Sequence, residues 1–166
     1  MSGEVTIGKP AQSDGAALWR VARDSGKLDL NSSYAYLMWC VDFAGTSVVA
    51  RRDGEVVGFV LGYRKQEAHD TVMVWQVAVD ASQRGEGLAG RLLDDLFTRV
   101  TAQGVRYLAT TVTPDNEASL AMFRSFAARW NAEMTGRELF AASDFPEPHE
   151  PEDEYVIGPL APPQVS

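Results

Sequence analysis

The 166-residue sequence holds one cysteine, Cys40, and two histidines, His69 and His149. A single thiol excludes an internal disulfide and a cysteine-based metal site, and two histidines this far apart lack zinc-site spacing. No metal is expected. Lysine is scarce too: Lys and Arg together number 15 against 23 Asp and Glu, a net charge of −8. Nucleic-acid binding needs an excess of cations to neutralise phosphates, so no nucleic-acid partner is expected. No apolar run approaches the roughly 20 residues of a membrane span, and the first residues carry no basic-then-apolar leader. The chain is therefore read as cytoplasmic, with no membrane partner. Cys40 lies in an apolar stretch with no base beside it, which reads as a small buried hydrophobe rather than a nucleophile.

What is present is ordinary for a globular domain: 45% hydrophobic and 23% charged residues. One domain is expected over residues 1–160, with a proline-broken, disordered tail at 161–166. Glu4 to Gly8 reads as a strand and Pro10 to Arg23 as a helix that Gly26 stops. Asn31, Ser32 or Ser33 can cap a helix over Tyr34 to Phe43. That helix has two apolar stripes, one of Tyr34, Leu37 and Val41 and another of Tyr36, Trp39, Cys40 and Phe43. Such a helix is buried on both sides or shares a face with a ligand or a second subunit, and a homodimer is expected.

Thr46 to Arg51 and Glu55 to Tyr63 read as strands around the Asp53-Gly54 turn, and Thr71 to Asp80 pairs next. Leu88, Leu92, Leu96 and Val100 stripe a helix over Gly87 to Ala102. Val105 to Val112 is strand-like. Thr113 is expected to cap the following helix, with Pro114 at its first position and Leu120, Phe123 and Ala127 facing inward. A last strand is expected near Tyr155 to Ile157. The order predicts an α+β fold: a mixed α/β, mostly antiparallel twisted sheet with helices on both faces.

The segment from Trp75 to Gly90 carries the strongest functional signal. An apolar strand, Trp75-Gln76-Val77-Ala78-Val79, leads through Gln83-Arg84-Gly85-Glu86-Gly87-Leu88-Ala89-Gly90 into an amphipathic helix. A glycine-rich loop at a helix N-terminus presents unpaired amides, and the helix dipole favours an anion there, so a phosphate group is expected. Gly85 to Gly90 formally satisfies G-x-G-x-x-G, the dinucleotide fingerprint. Four residues, however, separate Asp80 from Gly85, and the next strand ends in Thr-Thr-Val without the ribose-binding carboxylate.

Arg84-x-x-Gly87-x-Ala89 resembles instead the acyl-CoA pyrophosphate loop of the GNAT N-acetyltransferases. Asn116, in Thr113-Pro114-Asp115-Asn116-Glu117-Ala118-Ser119, matches that family's second motif. The resemblance implies a GNAT-like sheet and acetyl-CoA as co-substrate. Arg84, Gly85, Glu86, Gly87, Leu88 and Ala89 would hold the pyrophosphate. Val77, Ala78 and Val79 would line the pantetheine arm, the amide near Val77 or Ala78 would polarise the acetyl carbonyl, and Asn116, Ser119 and Phe123 would lie beside the arm. Phe123 departs from the pattern: many GNAT enzymes carry there a tyrosine that protonates the leaving thiolate. The general acid is left unassigned, and a non-catalytic acyl-CoA-binding module stays open.

On the acceptor side, Asp29-Leu30-Asn31-Ser32-Ser33-Tyr34-Ala35-Tyr36 and the run from His149 to Pro159 resemble the diaminobutyrate acetyltransferases of ectoine biosynthesis. This resemblance covers roughly Val5 to Leu160 and implies acetyl transfer to the γ-amine of L-2,4-diaminobutyrate, a small-molecule diamine. Another amine or a protein N-terminus remains an alternative acceptor. Asp29, Tyr34, Trp75, His149 and Glu152 would bind the diamine. Carboxylates suit its cationic amines, and Tyr34 and Trp75 offer aromatic walls. An amine with a pKa of about 10 arrives protonated, so a proton exit is needed, and His149, Glu152 and Asp29 are the catalytic candidates.

Overall fold

A computed structural model describes residues 3–26, 28 and 30–161. Among these residues, seven strands form one sheet: β1 (Val5–Gly8), β2 (Val48–Arg52), β3 (Glu55–Lys65), β4 (Ala68–Val79), β5 (Tyr107–Val112), β6 (Glu133–Phe140) and β7 (Glu152–Gly158). Their order is β1-β2-β3-β4-β5-β7-β6. All neighbours run antiparallel except β4 and β5. The α-helices α1 (Gly15–Ser25), α2 (Ser33–Asp42), α3 (Leu88–Thr101) and α4 (Glu117–Arg129) flank the sheet.

Strand periodicity divides the core in two. Successive residues point to opposite faces, so Val48 and Ala50 of β2 join one cluster and Val49 the other. The first cluster gathers the inner stripes of α3 and α4, including Leu92, Leu93, Leu96, Phe97 and Phe126, all fully buried. Each such side chain contributes about 1.5–3 kcal/mol of burial free energy. The second cluster packs Leu18 and Ala22 of α1 and Tyr36 and Cys40 of α2 on Phe59, Leu61 and Ala78. Helices thus cover both faces, as the sequence predicts.

Several boundaries differ from expectation. The first helix starts late: residues Gln12–Asp14 form a 3₁₀ turn and α1 begins at Gly15. Asp14 explains this, since its carboxylate accepts from the Ala11 amide at 2.7 Å and binds Arg51. Ser32 caps α2, accepting from the Ala35 amide at 3.2 Å. The cap of α4 is Asn116 rather than Thr113, with Oδ1 accepting from the Ser119 amide at 3.2 Å. The sequence reading missed β6 and found only the centre of β7. β6 is an edge strand with mostly exposed residues, so it lacks the alternation that marks a half-buried strand. The tail expected at 161–166 lies, from Pro162 onward, outside the described residues.

Candidate active site

The two parallel strands part in the middle of the sheet. β4 and β5 pair from Thr71–Tyr107 to Val74–Thr110, after which β4 runs on to Val79 with no further strand pairing on that side among the described residues. A cleft of about 690 Å³ opens where they separate. Val77, Ala78 and Val79 form one wall, Asn116, Ser119 and Met122 face them from α4, and Arg84 and Ala89 stand at the rim. On the other side, Gln76 to Val79 pair with Gly58 to Leu61 of β3, past a bulge at Trp75. The backbone groups of Val77 to Val79 that face the cleft are therefore an open strand edge able to bind an extended ligand.

First-turn residues of both α3 and α4 line this cleft: Ala89 from the one, Asn116 to Ser119 from the other. Gly87 precedes α3 in the left-handed region, at φ 70° and ψ 21°, and Gly85 has φ 85°. A β-carbon is strained in that conformation, which is why glycine stands at both places. The amides of Leu88, Ala89 and Gly90 reach no acceptor among the described residues. Three free donors at the positive end of a helix dipole make an anion site. Arg84 adds charge at the rim, and its guanidinium also donates to the Ser25 carbonyl at 3.4 Å. Glu86 turns outward and pairs with Arg52 at 3.1 Å. Leu88 lines no part of the cleft with its side chain, which is buried in the core beneath α3.

Phe123 is 3% exposed and belongs to the α3–α4 core, so its ring is not among the groups lining the cleft. Ser25, Leu28, Thr113, Ala118 and Met122 do line it and were missed from the sequence. Met122 had a signal: it sits three residues beyond Ser119 on one helix face. Ser25 and Leu28 had none, since only the fold brings the end of α1 over β4.

The acceptor candidates come from scattered elements. Trp75, 37% exposed, stacks on Trp39 of α2 with ring centroids 4.6 Å apart and planes 3° from parallel. Beneath them the Tyr36 hydroxyl donates to Gln76 Oε1 at 3.0 Å in a buried contact that pins α2 to β4. Tyr34, on the outer side of α2, is 68% exposed. Glu152 opens β7 opposite Phe140. His149 lies in the preceding loop, its ring stacked on Phe145 at 3.8 Å and its Nδ1 bonded to the Glu150 carbonyl at 2.5 Å. That bond leaves Nε2 as the basic nitrogen of the neutral ring. His149 lines a separate shallow hollow, not the cleft itself. Asp29 lies outside the described residues.

Cys40 is 2% exposed in α2. Burial, reinforced by the Asp14 charge and opposed by Arg51, pushes its thiol up to about 11, so it stays protonated and inert. Among the described residues no group of three or more His, Cys, Asp or Glu is placed to hold a metal ion. No helix among them is long and apolar enough to cross a membrane.

Comparison with known proteins agrees with this geometry. Residues 16–127 match the Acetyltransferase (GNAT) family. The chain is 52% identical, over 96% of its length and 82% of the relative's, to an L-2,4-diaminobutyric acid acetyltransferase of Nocardia farcinica. It is 53% identical to the enzyme of that name from Streptomyces coelicolor, with 95% of each chain covered. Among solved structures, the diaminobutyrate acetyltransferase EctA from Paenibacillus lautus, in complex with L-2,4-diaminobutyric acid and coenzyme A, superposes with a TM-score of 0.90. That match has 36% identity and covers 99% of both chains. The chain belongs to the GNAT acetyltransferase family, in the group of the L-2,4-diaminobutyric acid acetyltransferases.

Proposed function

We propose that this enzyme transfers the acetyl group of acetyl-CoA to the γ-amine of L-2,4-diaminobutyrate, a step of ectoine biosynthesis. The observation that carries this reading is the parting of β4 and β5 beneath two helix N-termini. The amides of Leu88, Ala89 and Gly90, with Arg84, bind the pyrophosphate. The pantetheine arm lies along Val77 to Val79 as a surrogate strand, and an amide near Val77 or Ala78 polarises the thioester carbonyl. Asn116 fixes the α4 end of the cleft.

Asp29, Tyr34, Trp75, His149 and Glu152 form the acceptor side. Glu152 and Asp29 attract the cationic amines, and Tyr34 and Trp75 wall the short carbon chain. An ammonium cannot attack, so its proton must leave first, and His149 Nε2 is the base nearest in chemistry to that task. The free amine then attacks the carbonyl carbon, the C–S bond breaks, and the thiolate takes the proton shed by the new amide nitrogen. Phe123 has no proton to give, and this route needs none from it.

Residues 1–160 form the single catalytic domain of a cytoplasmic homodimer. Tyr34, Leu37, Met38 and Val41 of α2 remain 39–68% exposed, an apolar face that a second copy would cover. Light scattering is expected to give twice the chain mass, and a monomer at working concentration would refute the dimer.

The activity is tested by thiol release from acetyl-CoA with a panel of amines. Release with 2,4-diaminobutyrate, and little with ornithine, lysine or aminoglycosides, is the expected result. Release with a different amine only would overturn the substrate, and none with any amine would leave a binding module.

A further inference from the structure

The acceptor amino acid carries a carboxylate as well as two amines, and the acceptor candidates above include no lysine or arginine. A cationic site is present one strand away from where β4 and β5 part. The last β4–β5 pair is Val74–Thr110. The next residue of β5, Thr111, pairs with Glu154 of β7, and Glu154 pairs in turn with Arg137 of β6. Ile157, three residues beyond Glu154 and so on the other face, belongs to the α3–α4 core. Glu154 and Arg137 therefore lie on the α2 face, the face of Trp39 and Trp75.

Glu154 is 3% exposed, and two cations hold it. Lys65 Nζ donates to Oε2 at 3.0 Å. Arg137 Nε and Nη2 both donate to Oε1, at 3.1 and 2.9 Å. Burial pushes the Glu154 carboxyl up, but the hydrogen bonds and charges of Lys65 and Arg137 outweigh it and hold the group below the ordinary carboxylate range. One cation would neutralise one carboxylate. A second leaves the cluster with a net positive charge, fixed in position by a buried anchor.

The remaining donors face outward. The Arg137 side chain is 67% exposed and that of Lys65 31%. With Nε and one Nη2 proton committed to Glu154, the far edge of the guanidinium keeps donors in the planar fork that matches a carboxylate. Glu152 sits two residues before Glu154 on the same face of β7, about 7 Å away by strand geometry. An anion and a net cation at that spacing match an α-amino acid head group, whose ammonium and carboxylate share one carbon.

We propose that Lys65 and Arg137, held by the buried Glu154 carboxylate, form the subsite for the α-carboxylate of the acceptor amino acid. This rests on the diaminobutyrate reading above. With Glu152 on the α-ammonium and the cationic pair on the carboxylate, the head group is gripped at the β7 side and the γ-amine extends toward the cleft. The cluster thus selects an amino acid over a plain diamine.

The first test needs no variant. Wild-type enzyme is assayed with L-2,4-diaminobutyrate, its carboxamide and 1,3-diaminopropane, which lacks the carboxylate. A charge-assisted contact predicts a kcat/KM lower by about 10- to 100-fold for the amide and the plain diamine. Equal values for the three would overturn the carboxylate subsite while leaving acetyl transfer intact. No turnover of diaminobutyrate would instead overturn the underlying substrate assignment. The second test is Arg137→Gln, an exposed side chain whose loss leaves Lys65 on Glu154. It should raise KM for diaminobutyrate with little change for acetyl-CoA, and bring the preference over 1,3-diaminopropane toward one. A rise in KM with that preference preserved would assign Arg137 a structural role only.

Discussion

The two sides of the cleft are built from different material. The proposed cofactor side is mostly backbone: amides at the start of α3, the open edge of β4 and the capped start of α4, with Arg84 at the rim. The proposed acceptor side is side chains from α2, β4, the loop before β7, and β7 itself, among which stacking and ion pairs are present. Backbone donors bind whatever presents the right anion, so that side can serve any acyl-CoA enzyme of this fold. Side chains carry the charge and shape that distinguish one amine from another. The cofactor is fixed by the fold, and the substrate by what is mounted on it.

The largest effect is expected where that division is sharpest. Gly87→Val places a β-branched residue at φ 70°, a conformation that costs non-glycine residues about 1–2 kcal/mol. Its side chain also enters the space through which a pyrophosphate must approach. Acetyl-CoA affinity by calorimetry should fall by about 100-fold or more, with the fold retained by circular dichroism. Affinity within a few-fold of wild type would mean the phosphates are held elsewhere.

The same division explains what the sequence reveals. The glycine turn before α3 and the Asn116 cap of α4 are each local, so residue types that create such backbone geometry can be read directly. The helix stripes and the Asp53-Gly54 turn are local as well. Cap choice at α4 was a contest within four residues, between Thr113 with Pro114 and Asn116, and only the fold decided it. β6 carries no apolar alternation because it closes an exposed edge. The cationic cluster was the least legible: Lys65 and Glu154 are 89 positions apart, and Arg137 and Glu154 are 17 apart. Arg64, one position from Lys65, bonds instead to the His69 carbonyl at 2.6 Å within its own hairpin. No periodicity separates the two.

The next effect lies on the acceptor side. Glu152→Gln removes the charge that attracts an ammonium but keeps size and hydrogen bonding. KM for diaminobutyrate should rise by about 10- to 100-fold, and KM for acetyl-CoA should hold. Equal increases in both would show that the variant disturbs β7 rather than substrate contact, and the two sides would no longer be separable.

A third effect concerns stability. The Glu154 carboxyl titrates lower in the fold than in the unfolded chain, where its ordinary value is 4.5. The folded chain therefore binds fewer protons as pH falls. The stabilisation from its ion pairs is complete above that ordinary value and is lost as pH drops through the lower folded one. Melting curves from about pH 7 to about pH 3 should show this loss in wild type, and Glu154→Gln should flatten the acid limb. Parallel acid limbs in the two proteins would remove Glu154 from the account.

The smallest effect tests the cofactor side by asking a side chain to matter there. Glu86 lies inside the proposed pyrophosphate loop, but its carboxylate turns away to Arg52 and its side chain is 54% exposed. An exposed pair of this kind contributes under about 1 kcal/mol, and its influence fades with salt. Glu86→Ala leaves Gly85 and Gly87 in place, so the amides that bind phosphate keep their geometry. Removing an anion near the pyrophosphate slightly favours binding, whereas loosening the loop opposes it. KM for acetyl-CoA should change by no more than about threefold at low salt and less at high salt. A tenfold change would mean that the loop needs the Arg52–Glu86 tie to hold its shape, and the cofactor side would then depend on side chains as the acceptor side does.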